Sequence, residues 1–414
     1  PGLSSTEYLS GGSWTAGPTM QAAHAYHTAT ILPNGNLMVA GGDTTSGYSG
    51  STTTEELIVD WTVSTNTWVN GSWQKDYSDL TANAQGGLNT ARSSHTATLL
   101  PTGWVLIAGG HSGGAPVDSM ELISYAPYGT WEKAADDTAT SGRWVHTTTL
   151  LPNGKVLTFG GKDTSTIDQP TLYTPSTDSW DNSITTNAPA ARDWHASTLL
   201  PTGKVLISGG NANSSSPQAS NSCSLFDWKT STWSTADSMG GDRAQHTATL
   251  SRFDVDTNGD LDADEDRVLV VGGVLSGTTL DTCELYDPYT DTWTTTTSFP
   301  VGTYQHNASI VWKDWSNPAD GILEPTVLIS GGNTSINNTG TQKMYWLDPF
   351  TLGWSEVGAT LLAKRYFHAQ ATLPDGRILI AGGKYAGGGT NGYDTVEIFD
   401  PATETIEGPV NTGD

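Results

Sequence analysis

The strongest indication of chemistry in this sequence is a twelve-residue segment in which oxygen-bearing side chains recur at nearly every second position. The segment reads DVDTNGDLDADE and covers residues 254–265. Ca²⁺ takes about six to eight oxygen ligands from carboxylates, amides and backbone carbonyls, and this spacing supplies them in order along a short loop. We therefore expect calcium to be bound by six residues: Asp254, Asp256, Asn258, Asp260, Asp262 and Glu265.

The segment also resembles the calcium loop of EF-hand proteins at each diagnostic position. Gly259 allows the sharp bend, Asp260 offers its backbone carbonyl, and Asp262 acts through a water molecule. Glu265 at the last position supplies both carboxylate oxygens. The flanking residues predict strands instead of helices, which favours a structural clip over a switch. The alternative is an acidic loop that is only solvated.

A second pattern with chemical content is a histidine that recurs along the chain, usually with an arginine three residues before it. The histidines are His27, His95, His146, His195, His246, His306 and His368. The arginines are Arg92, Arg143, Arg192, Arg243 and Arg365. One interpretation is a basic ring that binds an anionic or carbohydrate ligand. The other is structural, with each histidine bonded to a neighbouring backbone and each arginine paired with a carboxylate or carbonyl.

Each of these histidines begins a segment that predicts a β-hairpin ending in Gly-Gly. The segments cover residues 27–42, 95–110, 146–161, 195–210, 246–273, 306–332 and 368–383. A polar loop, a third strand and an Asp-Pro or similar turn follow, and a fourth strand begins at a tryptophan. The fourth strands begin at Trp68, Trp131, Trp180, Trp233, Trp293 and Trp354, with Ile406 in the last copy. The shortest spacing is 49 residues, close to the kelch period of about 50.

The order of histidine, hairpin, Gly-Gly, Asp-Pro and tryptophan resembles the kelch repeat, most of all its secreted microbial variety in the galactose oxidase superfamily. The resemblance implies an all-β fold, a single seven-bladed propeller over residues 1–414 with four antiparallel strands in each blade. It places first strands innermost and puts the arginines on the usual binding face. The calcium loop joins first and second strands of blade 5, so we expect it on the opposite face. A second insertion at residues 313–325 lacks calcium spacing and predicts a plain loop.

The sequence allows two ways to complete the last blade, because residues 10–20 resemble an additional fourth strand. We expect this segment to join blade 7 and to displace the weaker copy near Ile406. The alternative is that a spare terminal strand pairs with another molecule and drives self-assembly into a surface or filament protein.

The function that the pattern favours is non-catalytic binding or adhesion, with a glycan or an extracellular protein as the partner. The loops between second and third strands would carry specificity, with Tyr48 and Tyr385 as stacking residues. A secreted enzyme, an oxidase, hydrolase or lyase, is the remaining alternative. Tyr26-His27 resembles part of the copper site of galactose oxidase relatives, but their tyrosine-linked cysteine has no counterpart, because Cys223 and Cys283 fall in third strands.

Charge and composition limit the partners and suggest a location. The net charge of −25, from 43 acidic and 18 basic residues, repels nucleic acids and anionic lipids. No apolar run is long enough to insert in a membrane. Scarce lysine and five N-x-S/T sites favour an extracellular or cell-surface glycoprotein; these sites are Asn70, Asn213, Asn307, Asn333 and Asn337. The two cysteines lie in different blades, so we expect them to be unpaired.

Overall fold

The computed structural model describes residues 6–10, 13–17, 25–33, 37–43, 54–57, 73–75, 88–123, 131–134, 142–212, 218–315, 323–337, 339–385, 393 and 395–407. Within these residues the chain consists of strands and turns, with a short 3₁₀ turn at Ala263–Glu265 and no α-helix. Among them no helix has the length and apolar character needed to cross a membrane.

The described strands form seven antiparallel sheets of four strands, numbered here in chain order. Sheet 1 contains Thr28–Ile31, Leu37–Ala40, Thr54–Leu57 and Trp73–Lys75. Sheet 2 contains Thr96–Leu99, Val105–Ala108, Met120–Ile123 and Trp131–Lys133. Sheet 3 contains Thr147–Leu150, Val156–Phe159, Thr171–Thr174 and Ser179–Asp181. Sheet 4 contains Ala196–Leu199, Val205–Ser208, Cys223–Asp227 and Thr232–Ala236.

The remaining sheets follow the same order, and two of them have longer hairpins. Sheet 5 contains Thr247–Arg252, Asp266–Val271, Cys283–Asp287 and Thr292–Thr296. Sheet 6 contains Asn307–Lys313, Glu324–Ser330, Met344–Leu347 and Trp354–Glu356. Sheet 7 contains Ala369–Thr372, Ile378–Ala381, Val396–Asp400 and Thr405–Glu407. The fourth strands begin within one residue of the predicted positions except in sheet 1, where the fourth strand begins at Trp73 instead of Trp68.

Short two-stranded pairings lie outside these sheets. They are Thr6–Ser10 with Ser13–Gly17, His111–Ser112 with Ala115–Pro116, Val274–Leu275 with Thr278–Thr279, and Arg365–Tyr366 with Lys384–Tyr385. Each of the last three includes residues that directly follow a Gly-Gly step, so they stand at the same end of their sheets.

An apolar core fills the space between each sheet and the next, and this packing closes the ring. Val39 of sheet 1 packs with Leu379 and Ile398 of sheet 7 in one such core. The first strands of neighbouring sheets lie side by side, including those of sheets 7 and 1. The chain is therefore an all-β propeller, as the sequence predicted.

The expected insertion of residues 10–20 into sheet 7 is not seen in the described strands. Ser13–Gly17 pairs with Thr6–Ser10 in a hairpin of its own. The edge of the third strand of sheet 7 is already occupied, because Phe399 pairs with Ile406. Since that backbone edge is filled, the sheets close by side-chain packing instead.

The Gly-Gly step exists because the next sheet comes very close to it. At Gly209, whose φ is +60°, an added Cβ would lie 2.7 Å from both the carbonyl oxygen of Arg243 and the ring of His246. A left-handed φ and this close approach both require glycine. The backbone and a histidine ring of the next sheet therefore pack directly against this step.

Candidate functional site

The residue before each recurring histidine adopts a left-handed conformation and faces the axis of the propeller. We call these seven residues the collar: Tyr26, Ser94, Val145, Trp194, Gln245, Gln305 and Phe367. Their φ values lie between 50° and 58°, which is unusual for side chains of this size. Backbone hydrogen bonds hold them in place, since each N–H from Ser94 onward donates to the carbonyl of the preceding collar residue at 2.9–3.4 Å.

The collar side chains and the histidines behind them line a cavity of about 300 Å³. This volume is at the lower end of the range for small-molecule sites. One wall of the cavity is aromatic. The ring centroids of Tyr26 and Phe367 are 4.3 Å apart, and those of Trp194 and Phe367 are 5.5 Å apart. Sheets 4 and 7 are not neighbours, so the second contact spans the channel.

The other wall of the cavity carries primary amides. The Nε2 of Gln305 donates to the Oε1 of Gln245, and the Nδ2 of Asn333 donates to the Oε1 of Gln305 at 2.8 Å. Asn307 also lines the cavity. Amides offer both donors and acceptors, so this wall can bond hydroxyl groups of a ligand in either direction.

Two lysines lie beside the aromatic residues at the position after Gly-Gly. The Nζ of Lys162 is 3.7 Å from the Oδ2 of Asp193 and 4.3 Å from the ring centroid of Trp144. The Nζ of Lys384 is 4.5 Å from the ring centroid of Tyr26. Burial raises the pKa of Asp193 and lowers the pKa of Lys384. These groups form a charged rim next to a cavity whose described lining contains no carboxylate, lysine or arginine.

From His95 onward, the Nε2 of each recurring histidine contacts a hydroxyl group of the preceding sheet. The Nε2 of His306 lies 2.9 Å from the Thr247 hydroxyl, and the Nε2 of His195 lies 2.8 Å from the Thr147 hydroxyl. Burial lowers the pKa of His306 to about 3, so this ring is neutral near neutral pH. The structural interpretation of the histidines holds, with a hydroxyl as the partner of Nε2 instead of the backbone.

The recurring arginines are buried and are not among the residues that line the cavity, which fits the structural interpretation of them and not the ligand-binding one. Their side chains are at most 5% exposed and donate within their own sheets. Arg92, for example, donates to the carbonyls of Gly109 and Ser119 at 2.7 and 2.8 Å and pairs with Glu121 at 2.5 Å. The same burial and internal bonding apply to the other members of the set: Arg143, Arg192, Arg243 and Arg365. A guanidinium held in this way braces the fold.

The two tyrosines proposed as stacking residues remain untested. Tyr48 lies outside the described residues. Tyr385 pairs through its backbone with Arg365, and its side chain is outside the description. Among the glycosylation sites, Asn70 and Asn213 also lie outside it, and Asn337 is exposed. Asn333 is fully buried and bonded to Gln305, so it is no acceptor in the folded chain.

The predicted calcium loop lies at the turn between the first two strands of sheet 5, at the end opposite the collar. Oxygen atoms of Asp254, Asp256 and Glu265 lie within 4.8 Å of one another. The carboxylate of Asp254 accepts from the backbone N–H of Gly259 at 2.9 Å, and Glu265 accepts from that of Val255 at 2.9 Å. Within the described residues this is the one grouping of three or more metal-binding side chains.

Bends and anchors hold this loop in shape. Gly259 has a φ of +91°, and the N–H of Asp254 donates to the carbonyl of Pro349 in sheet 6 at 2.9 Å. The Oδ1 of Asn258 accepts from the N–H of Asp260 at 2.8 Å. The loop thus brings the carboxylates of Asp254, Asp256 and Glu265 together at one point.

Cys223 and Cys283 are free and buried, as the sequence predicted. Burial raises the pKa of each thiol to about 12. These thiols are therefore protonated and lie within the packed sheets.

Sequence reasoning missed the collar, although the sequence contains an indication of it. The histidine and Gly-Gly repeat in every sheet, while the residue before the histidine changes from Tyr to Ser, Val, Trp, Gln and Phe. The residue at a position that varies within an otherwise constant repeat is not needed to build each sheet. The seven residues at this position can therefore form one shared site at the centre of the ring.

Comparisons with known proteins agree on the fold. The Kelch motif family model matches residues 263–300. In structure, the chain is similar to a novel fungal alcohol oxidase of the AA5 family in complex with copper. That match has a TM-score of 0.64 and 14% identity, and it covers 92% of this chain and 75% of that one.

A second similar structure is YjhT, with a TM-score of 0.54 and 16% identity over 78% of this chain and 98% of that one. No curated protein matches the sequence. At these identities the likeness shows the fold alone, an all-β kelch propeller.

Proposed function

We propose that this chain is an extracellular, seven-bladed kelch propeller that binds a small neutral carbohydrate in the collar cavity without transforming it. The observation that carries the proposal is the contrast within the collar: its backbone conformation repeats seven times, but its side chains do not. Residues that only build the ring repeat from sheet to sheet, as the histidines do. We therefore expect the unrepeated Tyr26, Trp194 and Phe367 to give the cavity its specificity for a ligand.

The chemistry of the cavity favours a sugar. Sugars combine an apolar face of C–H groups with hydroxyls at their edges. The rings of Trp194 and Phe367 can stack on such a face, as aromatic side chains do on apolar surfaces. The amides of Gln245 and Gln305 can bond the hydroxyls. The described lining has no charged group, which favours a neutral ligand.

Binding without transformation fits the protonation state of the histidines that line the cavity. The imidazoles in the cavity are buried, and the pKa of His146 and of His246 is lowered to about 3. A base of that strength is a poor proton acceptor near neutral pH. Their Nε2 atoms also already contact hydroxyl groups of the preceding sheet.

Calcium completes the proposal as a structural clip in the loop at residues 254–265. The convergence of Asp254, Asp256 and Glu265 supports it. Calcium would neutralise carboxylates that otherwise repel each other. Loops of this class in extracellular modules bind calcium at roughly 10⁻⁴–10⁻³ M, which suits a location outside the cell. The seven four-stranded sheets support the seven-bladed form.

The test is equilibrium binding to a panel of neutral mono- and disaccharides by titration calorimetry, with wild type and Trp194→Ala. We expect one sugar to bind and the variant to lose at least tenfold in affinity, about 1.4 kcal/mol. Tyr289→Ala, at an exposed aromatic residue away from the cavity, is the matched control and should bind as wild type does. Equal affinity of wild type and Trp194→Ala for every sugar, or no binding by wild type, contradicts the proposal.

A further inference from the structure

The hairpin of sheet 6 is longer than most of its counterparts and presents a tryptophan that the ring does not need. Its strands Asn307–Lys313 and Glu324–Ser330 have seven residues each, against four in sheets 1–4 and 7. Trp312 stands six residues after the sheet's histidine, where five other sheets have the proline of the hairpin turn. It pairs with Pro325, but its side chain is 55% exposed.

The neighbouring residue Val311 and the more distant Trp346 belong to the core between sheets 6 and 7, and Trp312 does not. Leu323, just before the second strand of the hairpin, is 53% exposed. A large exposed tryptophan that contributes nothing to the core has no structural explanation in this propeller. Trp312 and Leu323 line one groove together with charged residues, and an apolar patch rimmed by polar groups is a feature of interaction sites.

Trp312 forms one wall of a groove between sheets 6 and 7, with a cavity of about 580 Å³. We call this the Trp312 groove, and its main lining residues are Trp312, Lys313, Leu323, Asp375, Arg377 and Glu404. It is formed by turns between first and second strands and between third and fourth strands. The groove therefore lies at the end of the propeller opposite the collar.

The wall facing Trp312 is polar and held in place. The Nε of Arg377 is 2.6 Å from the Oδ2 of Asp375. The Nζ of Lys313 pairs with the carboxylate of Glu404 and lies 4.7 Å from the ring centroid of Trp346. The carboxylate of Glu404 also accepts from the N–H of Gly358 at 3.1 Å. The charged groups of this wall are thus anchored before any ligand arrives.

The composition of the groove argues against an anionic ligand and against a protein partner. Its lining holds four carboxylates against one lysine and one arginine, in a chain of net charge −25, which disfavours anionic ligands. Among its described lining residues, Trp312 and Leu323 are the only large apolar ones that are strongly exposed. Two such residues are too few for the apolar core of a stable protein interface.

We propose that the Trp312 groove is a second carbohydrate site, separate from the collar and specific for neutral polysaccharide chains. The indole ring stacks on the apolar face of a sugar unit, and Asp375 and Arg377 bond its hydroxyls. The cavity of about 580 Å³ is larger than that of the collar, so we expect it to take more than one sugar unit of a chain. The collar cavity, at about 300 Å³, takes a smaller ligand. This proposal does not depend on binding at the collar.

The experiment uses the whole chain and measures binding to cellohexaose, xylohexaose, mannohexaose and chitohexaose by titration calorimetry. Wild type is compared with Trp312→Ala, with the collar variant Trp194→Ala and with Tyr289→Ala as an exposed aromatic control. We expect one hexasaccharide to bind and Trp312→Ala to weaken it at least tenfold. The other two variants should bind it as wild type does.

Thermal unfolding of Trp312→Ala should match wild type, because the side chain is exposed. No binding to any of the four probes, or equal binding by wild type and Trp312→Ala, overturns the proposal. A dimer of wild type that Trp312→Ala abolishes also overturns it, because a second copy would then occupy the groove. Loss of binding in Trp194→Ala alone contradicts the groove and leaves the collar proposal intact.

Discussion

Arg365 and Glu397 form an ion pair from which water is fully excluded, since both side chains are 0% exposed. Arg365 also donates to the carbonyl of Gly382 at 2.7 Å, and Glu397 also accepts from the N–H of Leu362 at 2.8 Å. The pair thus connects the segment before the first strand of sheet 7 with the Gly-Gly step and the third strand of the same sheet. A recurring arginine that looks like a ligand contact in sequence is here an internal brace.

Removing one member of this pair should destabilise the propeller strongly. Glu397→Gln leaves the guanidinium of Arg365 buried without its counter-charge, which we expect to cost about 3–5 kcal/mol in the free energy of unfolding. Glu356→Gln is the control, because Glu356 pairs with Lys343 at 2.7 Å on the surface and should cost less than about 1 kcal/mol. Urea unfolding measures both. Equal effects of the two substitutions would contradict the assignment.

The close approach at Gly209 predicts a second large difference between two similar substitutions. Gly209→Ala forces a left-handed alanine whose Cβ would lie 2.7 Å from the carbonyl of Arg243, so the sheets must separate locally. We expect a loss of more than about 2 kcal/mol. Gly241→Ala, whose Cβ would meet nothing within 4 Å, should be nearly neutral. Thermal melting of the two variants gives the comparison, and a neutral Gly209→Ala would refute the packing argument.

Calcium should stabilise the chain through the loop at residues 254–265. At a concentration about 100 times its Kd, an ion that binds the folded state adds about 2.7 kcal/mol. We expect the melting temperature to rise with calcium and to fall again with a chelator. Glu265→Gln should abolish this response, because Glu265 has a carboxylate oxygen near those of Asp254 and Asp256.

Asp264→Asn is the matched control for the loop, since Asp264 occupies the eleventh position and is not expected to bind the ion. It should keep the full response to calcium. If wild type does not respond to millimolar calcium, or if Glu265→Gln responds as wild type does, the calcium proposal fails.

The sheets could be predicted from sequence because the residues that specify each hairpin lie within that hairpin. The turn residues, the Gly-Gly step and the Asp-Pro turn are local, and they repeat with a period that identifies the architecture. The sequence left two interpretations of the arginines open because the environment of Arg92 depends on a strand about thirty residues later, where Glu121 lies. Equivalent third-strand acids, Glu284 and Glu397, are visible in the sequence and could have indicated the pairing.

The collar could not be predicted from sequence in the same way. The contact between Trp194 and Phe367 joins sheets that are not neighbours, and only closure of the ring brings them together. The number of sheets and the width of the channel determine this contact, and neither is encoded near either residue.

Acid should destabilise the propeller well before its carboxylates are protonated, because its buried histidines are neutral. Burial lowers the pKa of His146, His246 and His306 to about 3, against about 6.5 in an unfolded chain. Below pH 6.5 the unfolded state therefore binds more protons than the folded state. The stability that these groups contribute is complete above pH 6.5 and is lost as pH falls toward 3, by about 1.4 kcal/mol per pH unit for each histidine.

The window from pH 6.5 to 5 isolates this effect, because carboxylates with a lowered pKa, such as Glu404, titrate below it. Burial raises the pKa of Asp193, so this residue has the opposite effect on the pH dependence of stability. As a single group, it can offset the contribution of at most one histidine. Urea unfolding at several pH values in this window should show a steep fall in the free energy of unfolding. His306→Gln should reduce the slope of the free energy of unfolding against pH by the contribution of one histidine. A flat profile in wild type, or an unchanged slope in His306→Gln, would show that the ring histidines are not neutral in the folded chain.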